Sequence, residues 1–180
     1  MAHNYRTESY GRIGGIGTGG GGDRPGGPKE LAARHALLPL RLFLGITFVY
    51  AGIDKLTTSG FFAASGAGSV GEMMHGVRDS AAIPALVDLA LKSPSGFGYA
   101  IALGELAVGL GTLFGLFGRV AALGGAFISL SLWLTVSWQS TPYYYGNDLA
   151  YLMAWLPLVL AGTPAFSLDA VLADRRRRMR

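Results

Sequence analysis

The chain contains no cysteine. Its own residues therefore cannot form a disulfide, a thiol relay or a cysteine-ligated zinc or iron–sulfur centre. Charge is scarce too: 14% of residues are Asp, Glu, Lys or Arg, against about 25% in an ordinary soluble domain. There are three histidines, His3, His35 and His75, and none lies in a long apolar run. No histidine pair is placed to ligate a haem inside a helical bundle. What fills the space is hydrophobicity, at 51% of 180 residues. That balance argues against a soluble enzyme. The net charge is +4, but the basic residues gather towards the chain ends. The pattern reads as membrane topology and not as a nucleic-acid footprint.

Residues 1–30 hold ten glycines and two prolines. Such a segment buries too little apolar surface to offset its ordering entropy, so residues 1–35 read as a disordered cytoplasmic tail. The tail carries a literal GxGxxG at Gly15, Gly17 and Gly20. A dinucleotide site needs a strand before it and a helix after it. Here Asp23-Arg24-Pro25-Gly26 follows instead, and low complexity explains the match better. No apolar core or small-residue cleavage site marks a signal peptide.

Four apolar runs follow, and they predict an all-α integral membrane four-helix bundle spanning residues 36–172. The spans fall at about 37–56, 97–117, 120–138 and 143–162, each close to the ~20 residues that cross about 30 Å of hydrocarbon. The fourth reaches full length only by starting near Tyr143, and it contains Pro157. Counting lysine and arginine fixes orientation. With both termini inside, twelve basic residues lie on the inner side and three, Lys55, Arg78 and Lys92, on the outer side. Tyr143, Tyr144, Tyr145 and Trp138 fall at an outer aromatic belt. Residues 173–180 form a basic cytoplasmic tail suited to anionic headgroups or a soluble partner.

The second and third spans are joined only by Gly118-Arg119. Ala107, Gly111 and Gly115 on one, and Ala121, Gly125 and Ser129 on the other, recur every four residues. Small residues at that spacing let two helices approach closely. The outer loop, 57–96, is glycine-rich at first and then predicts a short helix over 83–91 begun at Pro84. Met73, Met74 and His75 lie in that loop; one histidine beside two methionines reads as solvated loop, and no metal site is assigned.

Ionisable residues inside a bilayer are functional candidates by default. Glu105 is the deepest, eight residues in from Phe97. It must face the bundle interior and suits proton relay, quinone hydrogen bonding or a hydrogen bond that locks two helices together. Asp54 and Lys55 close the first span, and as helix neighbours they point about 100° apart. Lys55 is expected to pair with Asp148 at similar depth on the fourth span, or to snorkel to the headgroups. Tyr145 and Asn147 complete a polar, aromatic pocket of a kind compatible with quinone carbonyls. Arg41, at the inner end of the first span, reads as a snorkelling cation with a phosphate or a helix end as alternatives.

The runs Leu40-Arg41-Leu42-Phe43-Leu44-Gly45 and Tyr50-Ala51-Gly52-Ile53-Asp54-Lys55-Leu56, with Gly104-Glu105-Leu106 and Gly146-Asn147-Asp148-Leu149-Ala150, resemble the DoxX family of small four-helix bacterial membrane proteins. The resemblance spans about residues 37–172. It implies a plasma-membrane subunit associated with oxidoreductase assemblies, one branch of the family belonging to a thiosulfate:quinone oxidoreductase. The recurring polar positions carried over are Arg41, Lys55, Glu105, Asn147 and Asp148. The reading that follows is a subunit supporting quinone-linked electron transfer. Glu105 and Asp148 are the catalytic candidates. Lys55, Asp54, Glu105, Asn147, Asp148 and Tyr145 are the quinone-binding set. No covalent cofactor is expected; membrane lipid, a redox protein and a second copy of the chain are the expected partners. The alternatives are a non-catalytic assembly subunit or a small transporter, the latter without an inverted repeat or broken-helix pair in the sequence.

Overall fold

A computed structural model describes residues 27, 32, 33, 35–163 and 165–179 of the protein, without the side chains of 170, 171, 173, 174 and 176. The glycine-rich tail expected at 1–35 lies almost wholly outside the described residues. Among the described residues all regular structure is helical. The helices are α1 (Leu38–Thr57), α2 (Val70–Val77), α3 (Pro84–Leu91), α4 (Pro94–Phe114), α5 (Gly118–Thr135), α6 (Asn147–Ala161) and α7 (Leu168–Arg178), with a 3-10 turn at Tyr143–Tyr145 before α6.

Two of these, α4 and α5, are long and apolar enough to cross a membrane, and α6 is a shorter apolar helix. α1 has 20 residues but carries Arg41, Asp54 and Lys55. Proline at the first turn starts α1, α3 and α4, where its missing N–H costs nothing. α4 begins three residues before the apolar run, at Pro94, and stops at Phe114. Gly115 ends it in the left-handed region at φ 61°, and the N–H of Leu116 donates to Gly111 O at 2.9 Å. The α4–α5 connection is therefore Gly115-Leu116-Phe117. Gly118-Arg119, expected as the link, is already the first turn of α5.

The most extensive helix pairings are α1 with α4 and α5 with α6. Glycines set the first. A Cβ on Gly52 would stand 2.7 Å from Ala102 O, and one on Gly109 would stand 2.7 Å from Val49 N. The expected small-residue seam between α4 and α5 is realised in part. Gly111 does face Ala121. Gly125 instead receives the Trp155 ring of α6, which would lie 2.2 Å from a Cβ there. A tryptophan needs more room than a second small stripe leaves, so α5 turns that face to α6. Trp155 is fully buried and meets Phe48 edge-on, with centroids 4.9 Å apart. Leu44, Val108, Ala122 and Leu158 fill the same core.

The connection from 57 to 96 holds more structure than its glycines suggest. The predicted helix from Pro84 is present as α3. Ahead of it, α2 is begun by Ser69, whose hydroxyl accepts from the N–H of Glu72 at 3.2 Å, as an N-cap does. Met74, read as solvated, is 2% exposed and packs with Val70, Val77, Val87 and Ala90 in a second small core.

Near the start of α1, Arg41 does not snorkel. It is 3% exposed. Its Nε donates to Thr112 O at 2.7 Å and its Nη2 to Leu113 O at 2.6 Å, at the carbonyl end of α4. It also donates to Ala165 O and to Phe166 O. A cation fits the negative end of a helix dipole. Asp169, at the start of α7, does the converse. Its carboxylate accepts from the N–H groups of Phe117 at 2.9 Å and Gly118 at 3.0 Å, where α5 leaves donors unpaired. The segment 165–169 is thus strapped across the α4–α5 turn.

Candidate functional site

A cavity of about 450 Å³ opens between the α1–α4 pair and the α5–α6 pair. α1 contributes Phe48 and Lys55, α4 contributes Glu105, α5 contributes Ser129, and Ser137, Tyr145 and Asp148 come from the segment beyond α5 and the start of α6. The 3.6-residue period explains the selection: Phe48, Ala51 and Lys55 share one face of α1. Asp54 takes the next direction round the helix and is exposed, outside the cavity lining. It was in the expected quinone-binding set, and its position on the helix keeps it out of this pocket.

The central contact is an ion pair. Lys55 Nζ donates to Glu105 Oε1 at 3.0 Å and to Oε2 at 2.8 Å. The Glu105 side chain is 5% exposed and that of Lys55 24%. The expected Lys55–Asp148 pair does not form. Asp148 accepts instead from the Ser137 hydroxyl. The reason lies in register. The glycine contacts set Gly52 against Ala102 and Leu106, which brings Lys55, within a turn of Gly52, to the level of Glu105. Asp148 stays half-buried on the opposite wall of the same cavity.

Three ionisable side chains of one positive and two negative charges thus share the pocket. Among the described residues no cation lies within ion-pair distance of Asp148. Ser129, 1% exposed, borders the cavity with a hydroxyl that has no hydrogen-bond partner. Tyr145 and Asn147 are exposed at the rim. Sequence reasoning brought Lys55, Glu105, Asn147, Asp148 and Tyr145 to one site and left out Ser129 and Ser137. Ser129 was taken as a spacer in a small-residue stripe. The signal that marks both is the i, i+3, i+7, i+8 series Ser129, Leu132, Val136 and Ser137, one helical face with hydroxyls at its ends.

Among the described residues, no cluster of three or more His, Cys, Asp or Glu side chains could hold a metal ion. The arrangement offers hydrogen-bond donors, a paired charge and one further carboxylate beside apolar walls. It can bind a compact group with acceptor oxygens and exchange protons with it.

No curated protein and no solved structure matches the chain. The DoxX family model matches residues 36–138, more than half of the chain, from the turn before α1 to just past the end of α5. The match takes in Arg41, Lys55, Glu105 and Ser129 and stops short of Tyr145, Asn147 and Asp148, which the expected extent to residue 172 had included. With two apolar helices of crossing length and the Lys55–Glu105 pair inside the matched segment, the chain belongs to the DoxX family of membrane proteins.

Proposed function

We propose that this protein is a subunit of a bacterial plasma-membrane oxidoreductase assembly, crossing the bilayer four times with both termini cytoplasmic. On this reading the pocket between the helix pairs receives a quinone ring. The observation that carries it is a lysine–glutamate pair, largely buried, at the wall of a cavity of about 450 Å³. That volume lies in the range of about 300–1,000 Å³ typical of ligand pockets.

The residues fit such a ring. The Ser129 hydroxyl is buried and without a partner, ready to donate to a carbonyl oxygen. Lys55 is the second donor, and Phe48 and Tyr151 line the apolar wall. When bound, a quinone supplies a two-electron, two-proton acceptor whose electrons come from a partner redox protein. The chain's part is to bind, orient and manage protons. Lys55 offsets the charge of Glu105 and anchors it against α1. Asp148, held by Ser137 and in no ion pair among the described residues, is the group placed to hold and release a proton at a carboxylate oxygen. Burial of the pair inside the bundle excludes bulk water, which strengthens each of these interactions.

The test is quinone-dependent turnover of the native assembly with Glu105→Gln and Asp148→Asn. Each change is expected to lower it by at least about 10²-fold, in line with loss of a proton-transfer group. Turnover within twofold of wild type in both would overturn the proposal. Affinity purification from native membranes should recover a redox protein with the chain. A non-catalytic assembly role is the second reading, favoured by α7: strapped at Asp169, it presents Arg175 and Arg177 as exposed cations. It predicts that Arg175 and Arg177 substitutions lower the yield of the complex and leave turnover per complex unchanged.

A further inference from the structure

A second cavity, of about 610 Å³, lies on a different side of α5 from the pocket. Ser129 and Val136 border the pocket, whereas Ile128, Ser131 and Thr135 border this groove; Leu132 is the wall they share. Its other walls come from Leu86 and Leu89 of α3 and from Phe97 and Ile101 of α4. The two hydroxyls that α5 places along it are already spent on their own helix. Ser131 donates to Ile128 O at 2.8 Å and Thr135 to Ser131 O at 2.7 Å. The groove therefore asks for hydrocarbon. It opens outward, because Leu89 and Phe127 on its edges are 62% and 72% exposed. Its flanks α4 and α5 are the two helices long and apolar enough to cross a membrane, while α3, at eight residues, is too short to do so.

Ser93 and Gly96 line the groove, and Lys92 precedes Ser93 in the chain. Lys92 is exposed and belongs to none of the ion pairs among the described residues. At the end of α2 and on α3, Arg78 is taken up by two carboxylates: its Nε donates to Asp88 Oδ1 at 2.6 Å and its Nη1 to Asp79 Oδ1 at 3.1 Å. Lys92 thus stands beside an apolar trough with no ion pair of its own among the described residues. We infer that the groove between α3 and the α4–α5 hairpin seats one acyl chain of an anionic phospholipid whose phosphate is met by Lys92. The site is independent of the quinone reading, since no residue assigned to that chemistry lines it. It joins a short interfacial helix to the spanning helices through a lipid, so bound lipid becomes part of the wall that holds α3 in place.

The test uses the full chain in mild detergent, with phosphatidylglycerol or phosphatidylcholine of the same acyl chains added and retained lipid counted by native mass spectrometry. One phosphatidylglycerol should be retained about fivefold more tightly than phosphatidylcholine, the worth of one lysine near an anionic surface. Lys92→Gln should bring the two lipids level. Ala100→Trp, which fills the trough from an exposed position on α4, should abolish retention of both, with folding followed by the thermal transition. Leu86→Ser makes the same test without added bulk and decides the matter where Ala100→Trp does not fold. Glu105→Gln should retain lipid as wild type does, so failure of the quinone reading leaves this result standing. Equal retention of the two lipids by wild type would overturn the proposal. So would full retention by the folded trough variants, or a prenylated quinone displacing the phospholipid.

Discussion

Arg41→Ala is expected to be among the most damaging single changes at the α4–α5 turn. The side chain donates to four carbonyls drawn from two separate segments, the end of α4 and residues 165–166. Thr112 O keeps a second donor in the N–H of Gly115 at 3.2 Å and loses little. Leu113 O and Ala165 O each lose a short bond to a charged donor. Leaving a buried acceptor unpaired costs about 1–3 kcal/mol, so the two together come to roughly 2–6 kcal/mol. Arg41→Lys should recover less than half of this. An ammonium is a point charge and cannot serve carbonyls on both sides of a planar fork. The measurement is reversible unfolding in mixed micelles, read as a midpoint shift for wild type, Arg41→Lys and Arg41→Ala. Asp169→Ala, which removes the cap on Phe117 and Gly118, should cost about 0.5–2 kcal/mol. An Arg41→Ala protein within about 0.5 kcal/mol of wild type, the size of a neutral surface change, would refute the clamp. The pocket lies about 21 Å away along α1, at 1.5 Å per residue from Arg41 to Lys55. Ligand affinity of the folded variants should therefore hold.

Further outcomes can be checked on the same samples. Gly52→Ala should destabilise the α1–α4 contact by about 1–3 kcal/mol, because its Cβ would meet Ala102 O at 2.7 Å; Gly76→Ala in α2, with nothing within 4 Å of its Cβ, should be neutral or stabilising by about 0.5–1 kcal/mol. Lys55→Met alone should cost about 3–5 kcal/mol by stranding Glu105, and Lys55→Met with Glu105→Leu should regain most of it; equal stability of the single and double variants would show the pair is not coupled. The absence of native cysteine permits topology mapping in intact cells. An impermeant maleimide should label Ser65→Cys and spare Arg175→Cys, and the reverse pattern would invert the proposed orientation.

The apolar runs made the helices legible, because an uninterrupted stretch of Leu, Ala, Val and Phe admits few other structures in lipid. The short helix at Pro84 was legible for the same reason joined to a start signal. The partner of Lys55 was not. Depth had been counted from Phe97, but α4 begins at Pro94, and the register that decides the pairing comes from Gly45, Gly52 and Gly109, where α1 and α4 nearly touch. A one-dimensional reading ranks charges by depth and has no means of seeing which backbones lie closest. Arg41 was misread on similar grounds. Its partners are main-chain carbonyls 71 to 125 residues away, and carbonyls leave no trace in a sequence. Met74 looked like solvated loop because the glycines ahead of it concealed the Ser69 cap.

The two polar contacts that border the pocket each stay on their own side of it. Lys55 and Glu105 belong to α1 and α4, whereas Ser137 and Asp148 belong to the α5–α6 side. At the far end the strap at 165–169 binds both sides together through Arg41 and Asp169. The two helix pairs are therefore tied at one end by this strap, and each carries its own polar contact at the other. Phe48 and Trp155 join the two pairs in one core, so neither polar contact is what holds the pairs together.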